Sequence, residues 1–319
     1  MKIMVTGAAG LCGRALAPML AKHYGYDVIA SDIRNPDQAL GKLEQRGMGD
    51  FPHNELPFLH CDIRKPEDVE QAISGKDIDV IIHLATLQPG QGPPSMSIDI
   101  NIKGTCNILE SALKNGVKRV IFTSSVWAAS RGPSAPYQPI DEYISCAHED
   151  MYDITKRMGE QFCEYYYTKY DLSTIAFRFC GYDPIEGFSS EGDILWDEIN
   201  INALAGRYLG MGSKLTNAWD LTQAFKAAME NKDVQHGLFL IGVGAPFVRE
   251  DAEDLRKTPL VVLEKYYPGA SEFFDEIGQD IPAITFWYNT QKAEKHLGFS
   301  TKLSLSDIMH QYYENKRKG

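Results

Sequence analysis

The chain has 319 residues, 44% of them apolar and 24% charged, which is enough to bury a large core and too apolar for extended disorder. Its formal charge of −11 sets up a field that repels nucleic acid and anionic lipid, so neither is expected as a partner. Apolar stretches such as Val80–Ala85 are far shorter than a membrane span and the chain starts on a strand-like run, so no membrane or targeting segment is expected and cytoplasm is the expected location.

The first strand is expected at Lys2–Thr6, running into a turn with Gly7, Gly10 and Gly13 and then a helix over Cys12–His23. A strand, glycine turn and helix start aim backbone N–H groups and the positive helix end at a pyrophosphate, which a side chain at Gly7 or Gly10 would block. The second strand, Val28–Asp32, ends in a carboxylate about twenty residues beyond the glycines, placed for adenosine ribose hydroxyls. Asp32 disfavours a 2′-phosphate, although Arg34 could pair with one, so NAD is the expected cofactor.

Further strands are read at Phe58–Cys61, Val80–Leu84, Arg119–Ser124 and Ser173–Arg178. Helices are expected between them at Pro66–Ile73, Ile98–Asn115 and about Asp150–Lys169. Short β-branched runs alternating with helices predict an α/β, doubly wound parallel sheet of the Rossmann type. The domain reading is 1–178 for dinucleotide binding and 179–319 for a smaller C-terminal substrate lobe. Within the lobe, a helix at Trp219–Asn231 and a strand at Gly237–Ile241 return to the first domain. Residues Arg249–Tyr267 are expected to be mostly helix, and Leu305–Lys316 a final one.

Six cysteines are scattered without a metal-like spacing, so no metal is expected, and His83 reads as a core histidine. Tyr152 and Lys156 lie four residues apart on a predicted helix and therefore on one face. A cation beside the phenol should lower its pKa toward the range of an acid-base catalyst. Thr123, Ser124 and Ser125 end the fifth strand at the carboxyl edge of the sheet, where open α/β folds bind ligands.

Taken together, Thr6-Gly7-x-x-Gly10-x-x-Gly13, Asp32, Asp62-Ile63, His83-Leu84-Ala85-Thr86, Asn101-Ile102-Lys103-Gly104-Thr105, Thr123-Ser124-Ser125 and Tyr152-x-x-x-Lys156 occur in the order of a known family. The sequence resembles the extended short-chain dehydrogenase/reductase superfamily, in its NAD-dependent epimerase/dehydratase branch, over roughly residues 1–180. The resemblance implies that Ser125, Tyr152 and Lys156 are catalytic, with Ser125 also touching substrate. It implies cofactor contacts from Gly7, Gly10, Leu11, Cys12, Asp32, Ile33, Asp62, Ile63, Leu84, Ala85, Thr86, Asn101, Thr123, Tyr152, Lys156 and Phe179. It further implies a homodimer through the helices at 98–115 and 150–169.

Two departures bear on the reaction. Dehydratases of this branch carry an Asp-Glu pair after the catalytic hydroxyl, whereas Val126 and Trp127 follow Ser125, so dehydration is not expected. Nucleotide-sugar epimerases usually show an asparagine where this chain has Gly181, and the stretch up to Trp219 is short. The branch match favours an epimerase, similar to UDP-glucose 4-epimerase. The departures favour a net dehydrogenase of a small molecule, similar to uronate and short-chain-type threonine dehydrogenases. The substrate is expected to be a sugar, sugar acid or sugar nucleotide, with Arg207 as the candidate for a substrate carboxylate against the plainer reading of a solvated arginine. A non-catalytic dinucleotide-binding regulator, the third reading, would have no reason to keep Ser125, Tyr152 and Lys156 intact.

Overall fold

A computed structural model describes residues 1–34, 56–144, 149–179, 181, 194, 196, 200–201, 204–205 and 216–318. Seven strands form one parallel sheet in the order β3-β2-β1-β4-β5-β6-β7. They are β1 (Lys2–Thr6), β2 (Asp27–Asp32), β3 (Phe58–His60), β4 (Val80–His83), β5 (Arg119–Ser125), β6 (Ser173–Phe179) and β7 (His236–Ile241). The order reverses between β1 and β4, which opens a crevice at the carboxyl edge where Thr6 stands beside His83. Ile3, Val5, Ile82, Ile121, Ile175 and Phe177 are buried because helices cover both faces, which is why these strands read as continuous apolar runs.

Helices α1 (Gly13–Lys22) and α2 (Pro66–Ile73) follow the sequence expectation closely. The expected helix at Ile98–Asn115 is two pieces, a π-helical stretch at Ile98–Lys103 and α4 (Gly104–Lys114), preceded by the short α3 (Pro94–Ser97). Helix α5 (Met151–Tyr170) is N-capped by Asp150, whose carboxylate accepts from the Tyr152 N–H at 2.7 Å. Asn217 caps α6 (Ala218–Glu230) in the same way, 2.7 Å from the Asp220 N–H.

Beyond β7 lie a 3₁₀ turn (Arg249–Asp251) and the helices α7 (Ala252–Lys257), α8 (Pro259–Tyr266), α9 (Ala270–Glu276), α10 (Gln291–Leu297) and α11 (Leu305–Lys318). Phe247, Leu255, Leu263, Phe273, Trp287 and Ile308 gather in an apolar cluster separate from that under the sheet. Among the described residues no helix is long and apolar enough to cross a membrane.

Candidate functional site

The site begins at the turn between β1 and α1. Gly7 has φ +70°, and a Cβ there would stand 2.6 Å from the Ala85 backbone nitrogen. At Gly13 a Cβ would meet the Gly7 carbonyl oxygen at 2.5 Å. These two glycines are required by backbone packing against the loop after β4 and within the turn. Gly10 differs, because its Cβ would meet only the Gly7 oxygen, at 3.0 Å, leaving open space outside the turn. That space is bordered by the half-buried Leu11 and Cys12 and the start of α1, a cradle of the kind that could hold a pyrophosphate.

Asp32 closes the cradle at the end of β2. One carboxylate oxygen accepts from the Ala9 N–H at 3.0 Å and the other from the Arg34 N–H, also at 3.0 Å. The Arg34 guanidinium stands 3.7 Å away and is largely exposed. Ile33 is half exposed, as expected of a residue bordering a ligand rather than the core. We therefore expect NAD to bind at least about tenfold more tightly than NADP, since a 2′-phosphate would be repelled by Asp32. Calorimetric titration of both cofactors checks this, and equal affinity would mean that Arg34 dominates.

Other residues implied for the cofactor lie around the same crevice. The Asp62 carboxylate is clasped by the Arg64 side chain at 2.5 to 3.1 Å, which holds it below the usual carboxylate range. Ile63 is buried against Gly104. Leu84 is buried, Ala85 faces Gly7, and Thr86 donates to Asn101 Oδ1 at 3.0 Å. Asn101, in the π-helical stretch, also accepts from the Leu87 N–H at 2.7 Å and donates to the Leu87 carbonyl and the Thr155 hydroxyl. It thereby ties the loop after β4 to α5. Phe179 is buried against Phe177 and Phe225, and the Thr123 hydroxyl is buried without a hydrogen-bond partner. His83 bridges the Thr6 and Thr105 hydroxyls at 2.7 and 3.2 Å in the core, and burial lowers its pKa to about 3. Arg207 lies outside the described residues.

Ser125, Tyr152 and Lys156 converge at the carboxyl end of β5. The Ser125 hydroxyl accepts from the Trp127 N–H at 3.2 Å and is hydrogen-bonded to the Tyr152 phenol. Lys156, one turn beyond Tyr152, donates to the Thr123 carbonyl at 2.7 Å, with its ammonium 5.5 Å from the Tyr152 ring centroid. Cys12 of the glycine turn neighbours both Tyr152 and Lys156, so cradle and trio adjoin, and burial keeps its thiol protonated.

The expected depression of the tyrosine pKa is overturned. Tyr152 is almost wholly buried, and desolvation of its phenolate pushes its pKa well above the usual tyrosine range, outweighing the Ser125 hydrogen bond. The same burial lowers Lys156 to about 7. Burial thus works against the charged form of both groups.

Two ion pairs that sequence reading missed support the trio. Glu160 accepts from Arg178 through both carboxylate oxygens at 2.7 Å and from the Ser124 hydroxyl at 2.6 Å. Asp153 accepts from Arg131 at 2.8 and 3.0 Å. The first pair joins residues 18 apart on different elements, so no local spacing signalled it. Among the described residues no group of three or more His, Cys, Asp or Glu side chains is placed to hold a metal ion.

The family described as the NAD dependent epimerase/dehydratase family matches residues 3–242. A putative UDP-glucose 4-epimerase from Methanocaldococcus jannaschii is 30% identical over 183 residues, 56% of this chain and 54% of that protein. Mitochondrial L-threonine 3-dehydrogenase from Sus scrofa is 28% identical over 185 residues, 56% of this chain and 45% of that protein. The chain thus spans about half the length of the curated relatives it matches. Among solved structures, a glucuronic acid dehydrogenase from Chromohalobacter salexigens is similar in fold, with a TM-score of 0.63 at 20% identity, covering 99% of this chain and 89% of that one.

Proposed function

Since the chain belongs to the NAD-dependent epimerase/dehydratase family, we propose that it moves a hydride at a secondary alcohol carbon of a sugar, sugar acid or sugar nucleotide. The observation that carries this reading is the convergence of Ser125, Tyr152 and Lys156 beside the glycine cradle. Gly7, Gly10, Asp32, the loop Leu84–Thr86 and Lys156 would hold NAD, which when bound supplies the hydride acceptor.

The remaining chemistry belongs to the chain's own groups. Ser125 accepts from the Trp127 N–H and is hydrogen-bonded to the Tyr152 phenol, so its hydroxyl stands where it would orient the substrate oxygen beside Tyr152. Tyr152 takes the alcohol proton at its phenol oxygen and returns it in the reverse direction. Lys156, anchored on the Thr123 carbonyl, lends positive charge to that oxygen as it ionises. Dehydration would need a further acid and base, and Val126 and Trp127 occupy the positions that could supply them. A homodimer through the helices at 98–115 and 150–169 completes the proposal, supported by the exposed apolar side chains of Ile98 and Ile154.

Epimerase chemistry, the first reading, returns the hydride to the opposite face of the same carbon. Net oxidation of a compact substrate is the second, favoured by Gly181, whose φ of +105° suits glycine and disfavours the asparagine of nucleotide-sugar epimerases. An epimerase should retain nucleotide through dialysis and release no net NADH when substrate and NAD are added and absorbance at about 340 nm is followed. Stoichiometric NADH accumulation over many turnovers would sink the first reading in favour of the second.

A further inference from the structure

The turn after β5 carries a side chain that the proton-transfer chemistry leaves unused. Val126 and Ala128 on either side of Trp127 are buried, whereas Trp127 is half-buried. Its indole stands at 85° to the Tyr152 ring with centroids 6.2 Å apart. The Arg131 guanidinium lies 4.3 Å from the indole centroid, within cation–π range. Arg131 is held there by its paired hydrogen bonds to Asp153, which is buried and adjoins Tyr152 in the chain.

These contacts close a circuit: Tyr152 to Asp153 through the backbone, Asp153 to Arg131 by a two-point ion pair, Arg131 to Trp127 by stacking, and Trp127 back to Tyr152. An indole fixed from two sides has lost its rotamer freedom on folding, so a ligand that packs on it meets a preorganised surface. Its polar neighbours satisfy one another, and the part of the half-buried ring not packed against Arg131, Tyr152 and the apolar cluster of Val126, Ile140 and Tyr288 offers an apolar surface beside an acid-base group. The C–H face of a polyol or sugar acid fits such a surface, because aromatic rings bury apolar area without competing for the ligand's hydroxyls.

We propose that Trp127 is a specificity-determining residue: its indole, braced by Arg131 and Asp153, is the wall against which the carbon skeleton of the alcohol substrate lies when its hydroxyl reaches Ser125 and Tyr152. The inference rests on the hydride-transfer reading above and adds the surface that selects the substrate. Trp127 exchanges no proton through its side chain, so its contribution lies in binding the alcohol rather than in the chemical step.

The test compares KM, kcat and NAD affinity for the parent, Trp127→Ala, Trp127→Phe and Arg131→Ala, with UDP-glucose, glucuronate and L-threonine offered separately to NAD-saturated protein. Turnover is followed by NADH formation and by product sugar analysis. For whichever alcohol the parent turns over, Trp127→Ala should raise KM about tenfold or more, the scale of losing a buried aromatic contact. Its kcat should stay within a few-fold and its NAD affinity within about twofold, because neither the trio nor the cradle has changed. Trp127→Phe should recover most of the KM, and Arg131→Ala should raise it by a smaller factor. An unchanged KM, or a loss confined to kcat or NAD affinity, overturns Trp127 as the wall and leaves the hydride-transfer reading standing. Should Trp127→Ala fail to fold, Arg131→Ala decides by the same criterion. A folded parent that acts on none of the three alcohols overturns the hydride-transfer reading itself, and the wall falls with it.

Discussion

Tyr152→Phe is expected to fold and bind NAD like the parent while turning over on the order of 10²-fold more slowly or worse, the usual scale for losing a positioned acid-base group. The substitution removes one oxygen. The ring stays, with its perpendicular contact to Trp127 and the Lys156 ammonium over its face. Burial raises the phenol pKa, so Tyr152 is protonated at neutral pH, and in the oxidising direction the competent base grows about tenfold per pH unit. Lys156, lowered to about 7, discharges as pH rises through that value and ceases to favour the phenolate. Alcohol oxidation by the parent should therefore climb steeply below about pH 7 and flatten above it. Residual turnover of Tyr152→Phe should lack the climb, which a kcat/KM profile across that range will show. Turnover within a few-fold of the parent would mean that the proton leaves by another route.

What the sequence disclosed follows the range of the interactions involved. Parallel strands buried on both faces leave continuous apolar runs, and all six strands expected through Arg178 occur within a residue of their expected ends. The glycine turn and Asp32 were legible because strand, turn and helix start are contiguous. The π-helical stretch at Ile98–Lys103 was not, since apolar spacing there does not distinguish a widened turn from an ordinary one. Helices α9 and α10 were missed for another reason. Each has seven residues, too few for periodicity to register, and α9 is held by the burial of Phe273 and Phe274 rather than by propensity. Glu160 and Arg178 meet only because α5 packs across β5 and β6, and Arg131 reaches Asp153 across 22 residues. Burial also reversed the expected order of effects on Tyr152, which four-residue spacing on a helix cannot reveal.

Glu160→Ala should cost about 3–5 kcal/mol of stability, because it strands a guanidinium that is fully removed from water. Arg178 is 0% exposed, and both of its short bonds go to Glu160, leaving a longer one, 3.2 Å, to the Glu142 carbonyl. Ser124 would lose its acceptor as well. Replacing both charges, as Glu160→Met with Arg178→Met, should recover most of that loss, since hydrocarbon of similar volume can substitute for a buried pair. Urea unfolding of the single and double variants measures this directly, and a single-variant loss below about 1 kcal/mol would show that water reaches the guanidinium. The double variant also carries a consequence for function. Glu160 lies one turn beyond Lys156 and binds the residue before Ser125, so the pair fixes α5 against the end of β5. A double variant with recovered stability should still turn over more slowly than the parent, because hydrocarbon packing lacks the directional bonds that set Tyr152 and Lys156 against Ser125.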